Sequence, residues 1–184
     1  MTTTPESPLD LPLLNDSQIP DTLTLVSLIR EDLSQSIAQH LTRADEKAYV
    51  LMTTISNGVG FYVLALSKNG EYRELEIELH TLLALIHLKQ QQYLDQKNYK
   101  GENQKAQDDK GAWFSALFTV ENDGFISKTE YNYDKPIFTG KTPEEWFTAP
   151  ETPSEGRAPI WSVEQYLEDL EKFPRDSGIP EWLN

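Results

Sequence analysis

The side chains that could do chemistry are unevenly supplied in this 184-residue chain: 30 Asp and Glu, 3 His and no Cys. Without cysteine there is no thiolate nucleophile, no disulfide and no thiolate metal site. His80 and His87 lie seven residues apart on one predicted helix, whereas helical metal-binding pairs use i, i+3 or i+4 spacing, and His40 is remote in sequence. No metal site is expected. There is no Gly-x-Ser-x-Gly elbow to strain a serine into a nucleophile. Asn57-Gly58-Val59-Gly60 has two glycines, but it joins two predicted strands and offers no helix N-terminus to a phosphate. No catalytic residue and no cofactor are expected.

The carboxylates are abundant, so each pair by itself says little. Glu74, Glu76 and Glu78 alternate at a strand-to-helix junction, while Glu164, Glu168, Asp169 and Glu171 decorate the outward side of the last predicted helix. Both sets read as solvated faces, and nothing separates an acid from a base in either. The net charge is −14: residues 1–40 carry −5, residues 41–110 carry −1 and residues 111–184 carry −8. Such a surface repels phosphate backbones and anionic lipids, so neither nucleic acid nor membrane is expected as a direct partner. It attracts basic partners, or it serves solubility alone. Trp113, Trp146, Trp161 and Trp182, with Tyr131, Tyr133 and Tyr166, fall in the acidic final third. Most read as core or wall residues that hold the proline-rich segment against the sheet, and a minority as binding anchors.

Positioning these residues falls to a regular set of elements. Residues 1–20, with four prolines, read as an extended or disordered arm. Leu25, Leu28, Ile29, Leu33, Ile37 and Leu41 line one face of a helix over about 22–43, capped by Asp21 or Thr22. The period then changes. Residues 49–55 and 61–66 form a hairpin around residues 56–60, and Asn69-Gly70 turns into a short strand near 72–75. A second helix runs from Leu79 to about Asn98, followed by a polar loop to Gly111. Residues 112–120 and 125–134 form a second hairpin, with Phe125, Ser127, Thr129, Tyr131 and Tyr133 on one face and mostly charged groups on the other. Thr142-Pro143-Glu144-Glu145 signals a short helical turn in the proline-rich segment 136–161. Ser162-Val163-Glu164-Gln165 caps a last helix that Pro174 stops. The order α-βββ-α-ββ-α predicts one α+β domain over 21–184, an antiparallel sheet of about five strands with helices on one face.

Two stretches carry a resemblance. Trp113 to Asp134 runs from a Trp-led strand through Asn122-Asp123-Gly124 to Phe125, Tyr131, Tyr133 and Asp134, and resembles the YezG-like family of bacterial immunity proteins. Gln165 to Arg175, followed by Ile179-Pro180-Glu181-Trp182, is similar to the C-termini of related immunity proteins. The resemblance covers the last 70 or so residues best. It implies a non-enzymatic antitoxin that binds and neutralises a cognate polymorphic toxin, often a nuclease. An acidic inhibitor suits that partner, because it can cover a basic nucleic-acid groove. Candidate contacts are Glu130, Asp134, Glu144, Glu145, Glu164, Glu168, Asp169 and Glu171. The alternatives are an adaptor or scaffold domain without a toxin partner and, further off, an enzyme without a recognisable motif. A homo-oligomer is compatible with the sequence. The lack of cysteine and of a basic, apolar N-terminal leader gives the expectation of a cytoplasmic protein.

Overall fold

A computed structural model describes residues 14–56, 58–99, 110–133, 143 and 161–183. The elements are α1 (Thr22–Ala38), β1 (Asp45–Ile55), β2 (Gly58–Ser67), β3 (Tyr72–Glu74), α2 (Leu82–Tyr99), β4 (Ser115–Glu121), β5 (Ile126–Asn132) and α3 (Val163–Lys172), then a single 3₁₀ turn, Glu181–Leu183. The strands form one antiparallel sheet in the order β3-β2-β1-β4-β5. This is the predicted α+β fold in the predicted order.

One sheet face and two helices make the main core. Leu25, Ile29, Leu33 and Ile37 of α1 and Leu85 and Leu88 of α2 pack on Ala48, Val50, Met52, Val63, Ala65, Ala116, Phe118 and Val120. Each fully buried aliphatic side chain contributes about 1.5–3 kcal/mol, so this stripe outweighs the weak intrinsic helicity of α1. Asp21 caps α1 by accepting from the Thr24 N–H at 2.9 Å. The other sheet face carries Leu51, Leu64 and Leu117 with Tyr49, Tyr62 and Tyr72 around them.

Several boundaries depart from the periodicity. α1 stops at Ala38, short of 43, because residues 42–45 form a tight polar corner. Asp45 Oδ2 accepts from the Thr42 N–H (2.7 Å), the Thr42 hydroxyl (3.0 Å) and Arg73 (2.8 Å). Asn122 donates to the Thr42 and Asp45 carbonyls, which ties the corner to the second hairpin. Leu28, assigned to the buried stripe, is exposed. The first hairpin is tighter than expected: Ile55 pairs with Gly58, so Gly58, Val59 and Gly60 belong to β2. Gly58 sits close under Trp161: a Cβ there would come within 3.1 Å of the ring.

The second hairpin corrects a facing assignment. A bulge shifts the β4–β5 register between Thr119, opposite Lys128, and Val120, opposite Ile126. The extra residue inverts the alternation, so Ile126 enters the core while Phe125 and Ser127 are exposed. Tyr131 and Tyr133 keep their expected inward side. The helical turn proposed at 142–145 lies outside the described residues apart from Pro143, as do the arm before Leu14 and most of the loop after Tyr99.

Two outcomes follow. Gly124 has φ +88°, and a Cβ there would sit 2.8 Å from Ser34 Oγ and 3.2 Å from the Ser34 carbonyl. Gly124→Ala should therefore cost about 1–3 kcal/mol in urea unfolding. At Asp45 burial pushes the carboxyl up, but the Thr42 hydrogen bonds and Arg73 outweigh it and hold the group below its ordinary value. A depressed carboxylate contributes stability above its unfolded value, about pH 4, and loses it as pH falls through the folded value. Asp45→Asn should be less stable at neutral pH and show a shallower loss between about pH 5 and 3, read from urea midpoints across that range.

Candidate functional site

Among the described residues a groove of about 880 Å³ lies between α1, β2 and the stretch that leads from β3 to α2. α1 contributes Asp32, Gln35, Ser36, Gln39 and His40, and β2 contributes Phe61, Tyr62 and Val63. The connecting stretch contributes Glu74, Leu75, Glu76, Ile77, Glu78 and His80.

Local sequence explains the stretch. After β3 the alternation continues: Leu75, Ile77 and Leu79 are buried in the main core, while Glu76 and Glu78 are exposed and Glu74 is half-buried. The chain stays extended, and α2 begins at Leu82 where the apolar spacing suggested Leu79, because α1 reaches across. Asp32 Oδ2 accepts from the His80 N–H, the Thr81 N–H and the Thr81 hydroxyl, all at 2.8 Å. Those bonds satisfy backbone donors next to the helix start and place a carboxylate at its positive end.

Four carboxylates line the groove, with no Lys or Arg among its described lining residues. Arg73, the one cation within the acidic run, is committed to Asp45. Tyr62 donates to Glu74 at 3.5 Å, and burial, reinforced by the Glu74 charge, pushes its phenol up. His40 Nδ1 lies 2.7 Å from the Ser36 carbonyl. Neighbouring like charges on a concave surface focus a negative potential and favour a cationic guest.

The C-terminal candidates divide. Glu164, Glu168 and Glu171 are exposed on α3, and Glu130 is exposed on β5 beside Lys128 at 2.9 Å. No described contact brings Glu130 to the α3 acids. Asp134, Glu144 and Glu145 lie outside the described residues. Asp169 corrects the expectation of an exposed contact: it is 1% exposed and bonded to the equally buried Lys89 Nζ at 2.6 Å. Lys89 also donates to the Thr54 carbonyl at 3.0 Å and lies over the Phe114 and Phe173 rings at 5.6 and 5.2 Å. Burial pushes the Lys89 ammonium down and the Asp169 carboxyl up, each against the pull of its partner. Asp169 Oδ1 accepts no hydrogen bond of normal geometry, although the Ser56 N–H and Arg175 also favour the carboxylate.

This pair sets where α3 docks. The helix carries the expected reciprocal cap, with the Gln165 N–H donating to Ser162 Oγ at 3.2 Å and the Ser162 N–H to Gln165 Oε1 at 2.9 Å. Trp161, Tyr166 and Leu170 pack on Ile55 and Phe114, and Phe173 meets Tyr93 edge-on at 5.3 Å. Arg175 closes the seam by donating to the Ala112 carbonyl at 3.0 Å and to the Tyr133 carbonyl.

Among the described residues no group of three His, Asp or Glu is arranged to hold a metal ion, and no helix is long and apolar enough to cross a membrane. The groove acids carry one legible signal, the strict alternation from Glu74 to Leu79. What the sequence does not show is the approach of α1 from more than thirty residues away. Compared with known proteins, the chain matches no protein-family model and no curated protein.

The buried pair yields a double-mutant test. Lys89→Met strands the Asp169 carboxylate and should cost about 3–5 kcal/mol in urea unfolding, whereas Lys89→Met with Asp169→Leu should recover most of that loss.

Proposed function

We propose that this protein binds and blocks a basic partner protein in the cytoplasm, as the immunity protein of a bacterial polymorphic toxin whose substrate is nucleic acid. The carrying observation is the groove, a concave surface of about 880 Å³ lined by Asp32, Glu74, Glu76 and Glu78. Three further facts support the reading. The net charge of −14 disfavours direct contact with nucleic acid or anionic lipid. The absence of cysteine suits a reducing compartment. The resemblance of Trp113–Asp134 and of the C-terminal segment to YezG-like immunity proteins supplies the partner class.

A nuclease must expose cationic surface to hold its substrate, and an acidic inhibitor gains both attraction and speed from it. Opposite charge can raise association toward about 10⁸–10⁹ M⁻¹s⁻¹, which matters when the inhibitor competes with damage to the cell. The acids on α3 add to the long-range field, but they sit on the outer face of a helix. The groove acids are gathered in a concavity, where field lines concentrate.

The experiment is co-expression with the product of the adjacent upstream gene. A stable complex and rescue of growth are expected, and the absence of both would end the proposal. Within that complex, reversing Glu74, Glu76 and Glu78 to lysine should weaken binding about tenfold more than reversing Glu164, Glu168 and Glu171. Isothermal titration would read the difference, and equal losses would remove the groove from the interface.

A further inference from the structure

We infer that the groove receives an extended segment of the partner bearing lysine or arginine at alternate positions, laid beside residues 75–79 by strand addition. The inference rests on the partner-binding role proposed above and specifies how that role is carried out.

The backbone supplies the first argument. Residues 75–79 keep strand-like alternation beyond β3, yet only Leu75 is bonded to the sheet, its N–H donating to the Val63 carbonyl at 3.0 Å. Among the described residues the backbones of Glu76, Ile77 and Glu78 make no hydrogen bond to the sheet. An extended chain with unused donors and acceptors is the template on which an added strand forms.

Rigidity supplies the second. The stretch is held by β3 at one end and by the Asp32 carboxylate at the other, and Leu75, Ile77 and Leu79 anchor it in the core between. A guest therefore meets an edge already ordered, which lowers the entropy cost of binding.

Charge supplies the third and chooses the occupant. Alternate residues of an extended chain are about 7 Å apart, so Glu74, Glu76 and Glu78 present a carboxylate row at that repeat, and an added strand presents every second side chain at the same repeat. A helix presents neighbours at i, i+3 and i+4 and cannot keep that match along the row. The opposing role for the same acids is to guard a sheet edge against pairing.

The full-length protein can be titrated with a short synthetic peptide in which lysine and valine alternate, followed by fluorescence anisotropy at low ionic strength. Two comparison peptides have the same composition with the lysines in one block, and the alternating sequence with the backbone amides of one edge N-methylated. The alternating peptide should bind. Its affinity should fall about tenfold or more on N-methylation, in the block arrangement, and against the variant Glu74→Gln/Glu76→Gln/Glu78→Gln, with circular dichroism showing the variant folded. Failure of every peptide to bind assigns the acids to edge protection and overturns the inference. Equal binding of the three peptides reduces it to charge attraction, and unchanged binding by the variant moves the site elsewhere; either result overturns it. A toxin complex that forms while the peptides fail removes strand addition and leaves the blocking role standing. Peptide binding with the expected pattern, but no toxin complex, supports the groove and removes that role.

Discussion

The arrangement of the molecule turns on the carboxylate of Asp32. From the middle of α1 it accepts hydrogen bonds from the His80 and Thr81 backbone and from the Thr81 hydroxyl, 48 and 49 residues away. Those bonds delay the start of α2, keep residues 75–79 extended and fix the separation of α1 from the sheet edge. Charge-assisted bonds of this kind are worth roughly 1.5–3 kcal/mol each, more than neutral ones, so three on one oxygen make a strong local constraint. The groove is a consequence. Without the constraint, the apolar residues Leu79, Leu82 and Leu83 would allow the helix to begin a turn earlier, and the acidic row would lose its alternation.

Aspartate and glutamate play different parts in this fold. Asp21 caps α1, Asp32 pins the approach to α2, Asp45 organises the corner before β1, and Asp95 accepts from Thr22 and Gln91. Asp169 pairs with Lys89 in the core. Glu76, Glu78, Glu164, Glu168 and Glu171 are all exposed. A carboxylate one carbon from the backbone reaches nearby N–H groups with little loss of rotamer freedom, whereas a longer side chain gives up more entropy to do so. Among the described residues Asp45 and Asp169 are buried and paired with cations, so part of the acidic charge is internal structure. The nearly neutral middle of the chain, which looked least interesting by charge count, holds the row that lines the groove.

The Lys89–Asp169 pair is a different kind of constraint. Burying two charges consumes most of what their attraction returns, so the pair adds little net stability compared with apolar residues of the same shape. What it adds is position: Lys89 has bonds to both Thr54 and Asp169, and a shifted α3 would leave a buried ammonium unmatched. The C-terminal helix is thereby held in one register against the ends of β1 and β4, and its glutamates face outward in a defined row.

Element types and their order were legible in the sequence because they rest on local physics: the period of Leu25, Ile29, Leu33 and Ile37, the β-rich runs about Asn69-Gly70, and the Ser162–Gln165 cap. The exclusion of thiol chemistry and the acidic character are likewise determined by composition alone. Tertiary structure decided the rest. Asp169 satisfies the outward positions of an amphipathic pattern, and only the arrival of Lys89, eighty residues earlier in the chain, makes its burial tolerable. The bulge that turns Ile126 inward and Phe125 outward depends on the β4 register, which no one-strand pattern contains. The groove lies where a hydrogen-bonded carboxylate ties α1 to residues 80 and 81, and a cavity is a relation between surfaces. A sequence states which side chains are available and which face of its own element each prefers; which faces meet is settled by packing and by the pairing of buried charge.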